Sequence, residues 1–235
     1  ITPATKVLLL CYPNNPTGAT ISRERLLEIM EVVKAHDLIV ISDEIYEKLT
    51  YVGEHTCVSS LPGMRDRTIL LNGFSKSYAM TGWRVGYAAG NPDFIAAMKK
   101  IHQYTMLCAP ITAQIAALEA LKNGKNEMKK MIEQYRQRRR LVLHAFQEIQ
   151  MTGLSSEEFA EQLLKEAKVA VVPGNAFGGQ GEGFIRCSYA TSVNDLTEAF
   201  KRMNQFLKRR LGRGRVLKAS FGKLETIKEG KCQSL

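Results

Sequence analysis

The sequence predicts an α/β fold: three layers around a mostly parallel sheet, followed by a smaller C-terminal α+β domain. Three observations predict it. Short apolar runs at residues 6–12, 38–42, 68–72 and 85–89 are separated by turns and helical patterns, as in strands buried in a helix-covered sheet. A long, highly charged helical pattern comes next. Beyond it a capping box opens a second, shorter set of elements.

The run Lys6–Tyr12 is continuously apolar and ends in a Pro/Asn/Gly cluster, which suits a buried parallel strand. Ser22 is placed to cap a helix reaching about His36, with Leu26, Leu27, Ile29, Met30 and Val33 on its apolar face. Leu38–Ser42, Thr68–Asn72 and Val85–Ala89 read as further strands of a sheet covered on both faces. Asn91-Pro92 opens another helix, with Asn as cap and Pro in the first turn. From Pro110 to about Ile149 the pattern is helical: Ala113, Ala116, Ala117 and Ala120 favour close packing, Gly124 interrupts, and Glu127–Gln150 reads as one long charged helix. Ser155-Ser156-Glu157-Glu158 is a capping box for a helix to about Ala167. Strands at Val169–Val172 and Gly183–Tyr189 follow, and Ser192 caps a last helix with Leu196, Phe200, Met203 and Leu207 on one stripe. The expected organisation is a large domain over 1–109, a linking helical segment over 110–150, a small domain over 151–211 and a basic tail over 212–235.

Composition narrows the function classes. The 235 residues are 45% hydrophobic and 24% charged, ordinary for a soluble globular protein. No apolar run approaches the roughly 18 residues that span a bilayer, and Ile1-Thr2-Pro3 has neither a signal core nor a starting Met. The chain is therefore expected to begin within a longer protein. Five scattered cysteines, at 11, 57, 108, 187 and 232, read as reduced thiols of a cytoplasmic protein. The four histidines stand apart from them, so no metal site is expected. The net charge of +10 is concentrated in Lys208–Lys231, where nine basic residues against two Glu give +7. With no aromatic interleaving, that tail reads as a solvated terminus rather than a nucleic-acid or membrane contact.

Several polar residues stand where chemistry is done. Asp43 follows an apolar strand, and ligands in open α/β sheets sit beyond the carboxyl ends of strands. A buried carboxylate there stays ionised beside a cation, such as a protonated pyridine ring; capping the next helix is the other reading. Tyr46, three residues on, offers a phenol to the same ligand or is a core-edge tyrosine. Asn15 precedes Pro16, which holds it extended, and its amide, like the Tyr46 phenol, can bond an oxygen of that ligand; plain turn chemistry is the alternative. Lys76, in a turn of small and hydroxyl residues after the third strand, is an amine able to attack an aldehyde or a solvated surface lysine. Arg84, beside the buried run Val85–Ala89, needs an anion: a phosphate, with Ser75 adding a hydroxyl, or a structural carboxylate. Arg186, in the alternating segment Phe184–Tyr189, either clamps a substrate carboxylate or faces out from a strand. Together these segments hold the parts for pyridoxal 5'-phosphate: an amine, an acid for the ring nitrogen, groups for the ring oxygen and a cation for the phosphate.

The motifs NNPTG at 14–18, SDEIY at 42–46, SKSYAMTGWRVGY at 75–87, VVPGNAFG at 171–178 and FIRCSYA at 184–190, in this order, resemble the class I/II aminotransferases of the fold-type I pyridoxal-phosphate family. The resemblance covers about residues 1 to 211. It implies that Lys76 is the Schiff-base lysine and proton shuttle, that Asp43 holds the pyridine nitrogen, and that Asn15 and Tyr46 hold the ring oxygen. It further implies that Ser75 and Arg84 grip the phosphate, and that Arg186, with Asn15, binds the substrate. The implied activity is a ping-pong exchange of an amino group between an amino acid and a 2-keto acid in a homodimer. A related pyridoxal-phosphate lyase or synthase, or a truncated non-catalytic remnant, are the alternatives. Three departures from the family pattern stand out. The long N-terminal part before NNPTG, with its phosphate loop and stacking aromatic, is lacking; a stretch around Gln150–Gly153 is short, which leaves the small domain's sheet short of a strand; and Gly212–Leu235 matches nothing in the family. Gly73 stands where some relatives have Ser, at the cost of one phosphate contact.

Overall fold

Strand β1 (Val7–Cys11) pairs in parallel with β2 (Ile39–Asp43), and β2 in parallel with β3 (Thr68–Gly73). The fourth strand, β4 (Gly86–Ala89), runs antiparallel to β3, giving the order β1-β2-β3-β4. A computed structural model of the chain describes residues 1–145 and 152–211. They fall into two compact units, Ile1–Gln134 and the chain from Tyr135 onward. The sequence expectations for the last turns of the long helix, for Gln150-Met151 and for the basic tail lie outside the described residues.

Helix α1 (Arg23–Ala35) crosses between β1 and β2 and begins where Ser22 accepts a hydrogen bond from the Arg25 backbone. Its Leu26, Met30 and Val33 are buried against Leu38, Val40, Val58, Leu61 and Met64, the core of the first unit. Leu27 stays on the outer side of the helix, 36% exposed. A short helix α2 (Phe74–Ser77) leaves β3 directly. Helix α3 (Pro92–Thr105) starts at the Asn91 cap with Pro92 in its first turn. Helix α4 (Ile111–Asn123) ends at Gly124, after which α5 (Lys125–Ala145) begins. Ala113 and Ala117 are buried as their spacing predicts, and Ala117 packs with Phe74 and Met80.

One expectation fails in this unit. A continuous apolar run predicts a strand buried on both faces, yet β1 alternates between partly buried and exposed residues. Leu8 and Leu10 pack on the core while Val7 and Leu9 are 44% and 67% exposed. The reason is that α1 and the 58–64 turns cover one face only; no described helix buries Val7 or Leu9. Outward apolar residues such as Ile101 on α3 and Ile115 on α4 are exposed as well.

The second unit is built on two amphipathic helices. Helix α6 (Ser156–Ala167) opens with the complete capping box: Ser155 accepts from the Glu158 backbone, and Glu158 accepts from the Ser155 backbone. Helix α7 (Val193–Leu211) follows Ser192, whose hydroxyl accepts from the Asp195 backbone at 3.1 Å. Phe159 and Leu163 of α6 meet Leu196, Phe200, Met203, Phe206 and Leu207 of α7, all buried. Phe159 and Phe206 meet edge to face with centroids 5.7 Å apart, a favoured aromatic geometry. The two predicted strands shrink to β5 (Val172–Pro173) and β6 (Ile185–Arg186), an antiparallel pair. Val169 is instead buried against the helices. Among the described residues each short strand pairs with the other alone, and each is two residues long. No described helix is long and apolar enough to cross a membrane.

Candidate active site

Strand alternation decides which side chains share a face. Cys11 and Asp43 are register partners, and Asp43 in turn opposes Leu71. Asp43 therefore stands with Val7, Leu9 and Ile41 on the face away from α1, at the carboxyl edge of the sheet. Lys76 sits three residues past the end of the neighbouring strand β3, inside α2, so the acid and the amine occupy the same edge of the sheet. Asp43 is partly buried. One of its carboxylate oxygens accepts from the Ile45 backbone at 3.1 Å, and among the described residues no Lys, Arg or His is paired with it.

Three predicted residues converge from three segments. The Asn15 side-chain amide, on the turn after β1, donates to the Tyr46 hydroxyl at 3.3 Å. The Lys76 Nζ lies over the same tyrosine ring, 5.6 Å from its centroid. The turn carrying Asn15 is shaped locally. Asn14 accepts from the Thr17 hydroxyl at 2.9 Å, and the Gly18 N–H donates to the Asn14 carbonyl at 2.7 Å with Gly18 at a φ of +70°.

Ser75 and Arg84 are joined through Thr81. The Thr81 hydroxyl donates to the Ser75 carbonyl at 3.0 Å, and the Arg84 guanidinium donates to the Thr81 carbonyl at 2.9 Å. Arg84 is exposed, and among the described residues it pairs with no carboxylate. The predicted buried strand Val85–Ala89 is corrected: Arg84 is left-handed at φ +53°, and β4 begins at Gly86 and is mostly exposed. Ala79, between Lys76 and Arg84, is left-handed too, at φ +54°. For residues with a Cβ this costs about 1–2 kcal/mol each, and such strain gathers at functional loops.

Gly73 has a packing reason. It opposes Gly86 in register, and a Cβ on it would lie 3.0 Å from the Gly86 Cα and 3.2 Å from the Val85 carbonyl. A serine fits there only if β4 backs away. Arg186 belongs to the second unit, where it opposes Val172 on β6, is partly buried, and sets its guanidinium 5.4 Å from the Phe177 ring centroid.

The sequence reading missed Glu44 and His55. Glu44 is 1% exposed, and its carboxylate takes hydrogen bonds from the Ser42 hydroxyl (2.8 Å) and the Val58 N–H (3.0 Å), with His55 Nε2 at 2.7 Å. Burial pushes its pKa up, but the hydrogen bonds from His55, Val58 and Ser42 outweigh burial and leave it below the ordinary carboxylate value. The signal was present in the strand period: Val40, Ser42 and Glu44 fall on the core face, one residue out of step with Asp43.

Known proteins resemble this chain in sequence and in fold. The family model for "Aminotransferase class I and II" matches residues 1–203. YugH of Bacillus subtilis is 52% identical over 224 residues, covering 88% of this chain and 58% of that protein. The aromatic-amino-acid aminotransferase 2 of Thermococcus litoralis is 42% identical, with 88% of this chain and 59% of that protein covered. Among solved structures, an aromatic aminotransferase from Pyrococcus horikoshii superposes with a TM-score of 0.85 at 43% identity, over 90% of this chain and 62% of that one. The chain spans about three-fifths of the length of the curated relatives it matches.

Proposed function

This chain belongs to the class I and II aminotransferases, and from that premise we propose that it moves an amino group between an amino acid and a 2-keto acid, with pyridoxal 5'-phosphate as cofactor and Lys76 as the residue that holds it covalently. The observation that carries this reading is the convergence of Lys76 and Asn15 on Tyr46 at the carboxyl edge of the sheet. The residues present suit the cofactor. Asp43 is a partly buried acid with no cationic partner among the described residues, which fits a protonated ring nitrogen. The Tyr46 hydroxyl and Asn15 amide fit a ring oxygen. Arg84, with no paired carboxylate, and Ser75, tied to it through Thr81, fit a phosphate.

When bound, the cofactor supplies the carbonyl that takes up the amino group and a ring that accepts electron density from the substrate Cα. The protein's residues bind, orient and move protons. The negative charge of Asp43 would favour a protonated ring nitrogen. Lys76 Nζ would be the base that takes the proton from the substrate Cα and holds it for return. Arg186 would be the cation that binds the substrate α-carboxylate. The relatives' names include aspartate and aromatic aminotransferases, and the α-amino and α-carboxylate groups are what those substrates share.

The same reading makes residues 1–109 part of the cofactor domain, 110–150 a linking helical segment and 151–211 the small domain. It also makes the protein a cytoplasmic homodimer. The odd number and scattered spacing of the cysteines, at 11, 57, 108, 187 and 232, support the reducing compartment.

The test is covalent labelling. The chain is incubated with pyridoxal 5'-phosphate, reduced with borohydride, digested and read by peptide mass. The label is expected on the Lys76 peptide and is expected to vanish in Lys76→Ala. Equal labelling of many surface lysines would overturn the assignment. Amino exchange that depends on an added 2-keto acid then separates a transaminase from a lyase on the same scaffold.

A further inference from the structure

We propose that Glu44 and His55 are positioning residues that fix the direction of the Asp43–Tyr46 turn, an inference resting on the roles given above to Asp43 and Tyr46. Asp43 and Glu44 are consecutive at a strand end, so their side chains face opposite ways. Anchoring one therefore aims the other. Glu44 is anchored three times on the core side, by Ser42, Val58 and His55. Its own N–H continues the sheet ladder to the Leu71 carbonyl at 2.9 Å, and its carbonyl accepts from the Glu47 N–H at 2.9 Å, closing the turn that carries Tyr46.

The anchor reaches the Asn15 turn as well. The His55 ring lies 5.2 Å from the Tyr12 ring, tilted by 31°. The Tyr12 hydroxyl donates to the Thr56 carbonyl at 2.9 Å, and the Tyr12 N–H donates to the Asp43 carbonyl at 3.2 Å. Tyr12 is three residues from Asn15. One buried carboxylate thus ties the exit of β1, the exit of β2 and the 55–58 segment together, and these exits carry Asn15, Asp43 and Tyr46. A slip of one residue or a peptide rotation that moved Asp43 off the open face would turn Glu44 away from Ser42, Val58 and His55 and leave the buried Val58 N–H without its acceptor, a costly state.

Two arms test this on the full chain. In the first, without cofactor, the Asn15 side-chain amide resonance reports its bond to Tyr46. Glu44→Gln and His55→Leu are expected to shift it. His55→Gln, which keeps a donor toward Glu44, is expected to restore it. The core variant Leu26→Ala, which lowers stability at a buried site of α1, is expected to leave it in place. In the second arm, the affinity and circular dichroism of bound pyridoxal 5'-phosphate are compared across the same variants, with a loss of about tenfold or more expected for Glu44→Gln and His55→Leu. The proposal is overturned if the Asn15 resonance responds to Leu26→Ala as it does to Glu44→Gln, or if His55→Gln and His55→Leu behave alike. If the parent chain takes no cofactor onto Lys76, the reading of the active site fails, while the amide resonance still decides the positioning role.

Discussion

The Asn15 amide and the Tyr46 hydroxyl, 31 residues apart in the chain, form a 3.3 Å hydrogen bond. It joins the loops after two adjacent parallel strands above the carboxyl edge of the sheet. If both groups face one cofactor oxygen, they act as a unit. Asn15→Ala and Tyr46→Phe should then be non-additive, with a coupling energy of about 0.5–1.5 kcal/mol in cofactor affinity. A fluorescence titration of the two single variants and the double variant measures it. Simple addition of the two losses would mean that the residues act separately.

Asp43 stands without a cationic partner among the described residues, so its charge is available to the ligand. Asp43→Asn keeps the size and the acceptor for the Ile45 N–H but removes the charge. A hydrogen bond to a charged group is worth about 1.5–3 kcal/mol, so the exchange rate should fall by roughly ten- to a hundredfold or more. Cofactor attachment to Lys76 should survive, as read by the borohydride label. Loss of the label together with the rate would make Asp43 a structural residue instead.

Legibility followed the range of the interactions. The caps at Ser22, Asn91, Ser155 and Ser192 were readable because each bond needs only the next few residues. The strand ends were readable because apolar runs stop there, and Asp43 and Lys76 could be placed on them. The partner of Glu44 was not readable. His55 reaches it across 11 residues of irregular chain, and only the burial of Ser42 on the same face hints at the pairing. The Gly73–Gly86 approach also needed the strand register, which no local pattern gives. The exposed face of β1 is another case: the sequence carries the apolar pattern for two covered faces, and cover is a property of other segments.

Acid should destabilise the first unit through Glu44. Its folded pKa lies below the ordinary value of 4.5, so the unfolded chain binds its proton more readily. The contribution to stability is complete above that value and is lost as pH falls through the lower folded pKa. Urea midpoints of the parent should drop on acidification below about pH 4.5. Glu44→Gln should start lower at neutral pH and show a shallower acid limb. Glu158, Glu182 and Asp195 are lowered by backbone and hydroxyl donors at helix starts of the second unit, so the informative quantity is the difference between variant and parent. Parallel acid limbs would show that the Glu44 carboxylate is not the titrating group.

In the second unit, Ser155 satisfies the Glu158 N–H and receives Glu158 in return. Ser155→Ala removes one arm of that exchange at the start of α6 and should cost about 1 kcal/mol. The effect belongs in the thermal midpoint and not in cofactor affinity. A change of less than a few tenths of a kcal/mol would mean that water replaces the serine without loss.

Arg186 offers the sharpest separation of binding from cofactor retention. It is held on β6 opposite Val172, with the Phe177 ring 5.4 Å beneath its guanidinium, and among the described residues no carboxylate neutralises it. A planar guanidinium can grip a carboxylate with two parallel bonds, which a lysine ammonium cannot do. Arg186→Ala should raise the Michaelis constant for any amino acid by about a hundredfold, and Arg186→Lys should recover only part of it. The borohydride label on Lys76 should stay at the parent level in both variants, because the cofactor contacts proposed above come from Asn15, Asp43, Tyr46, Ser75 and Arg84. Steady-state kinetics with one amino donor, beside the label, decide the matter. Equal losses in substrate binding and cofactor retention would mean that Arg186 supports the fold of its own unit rather than the substrate carboxylate.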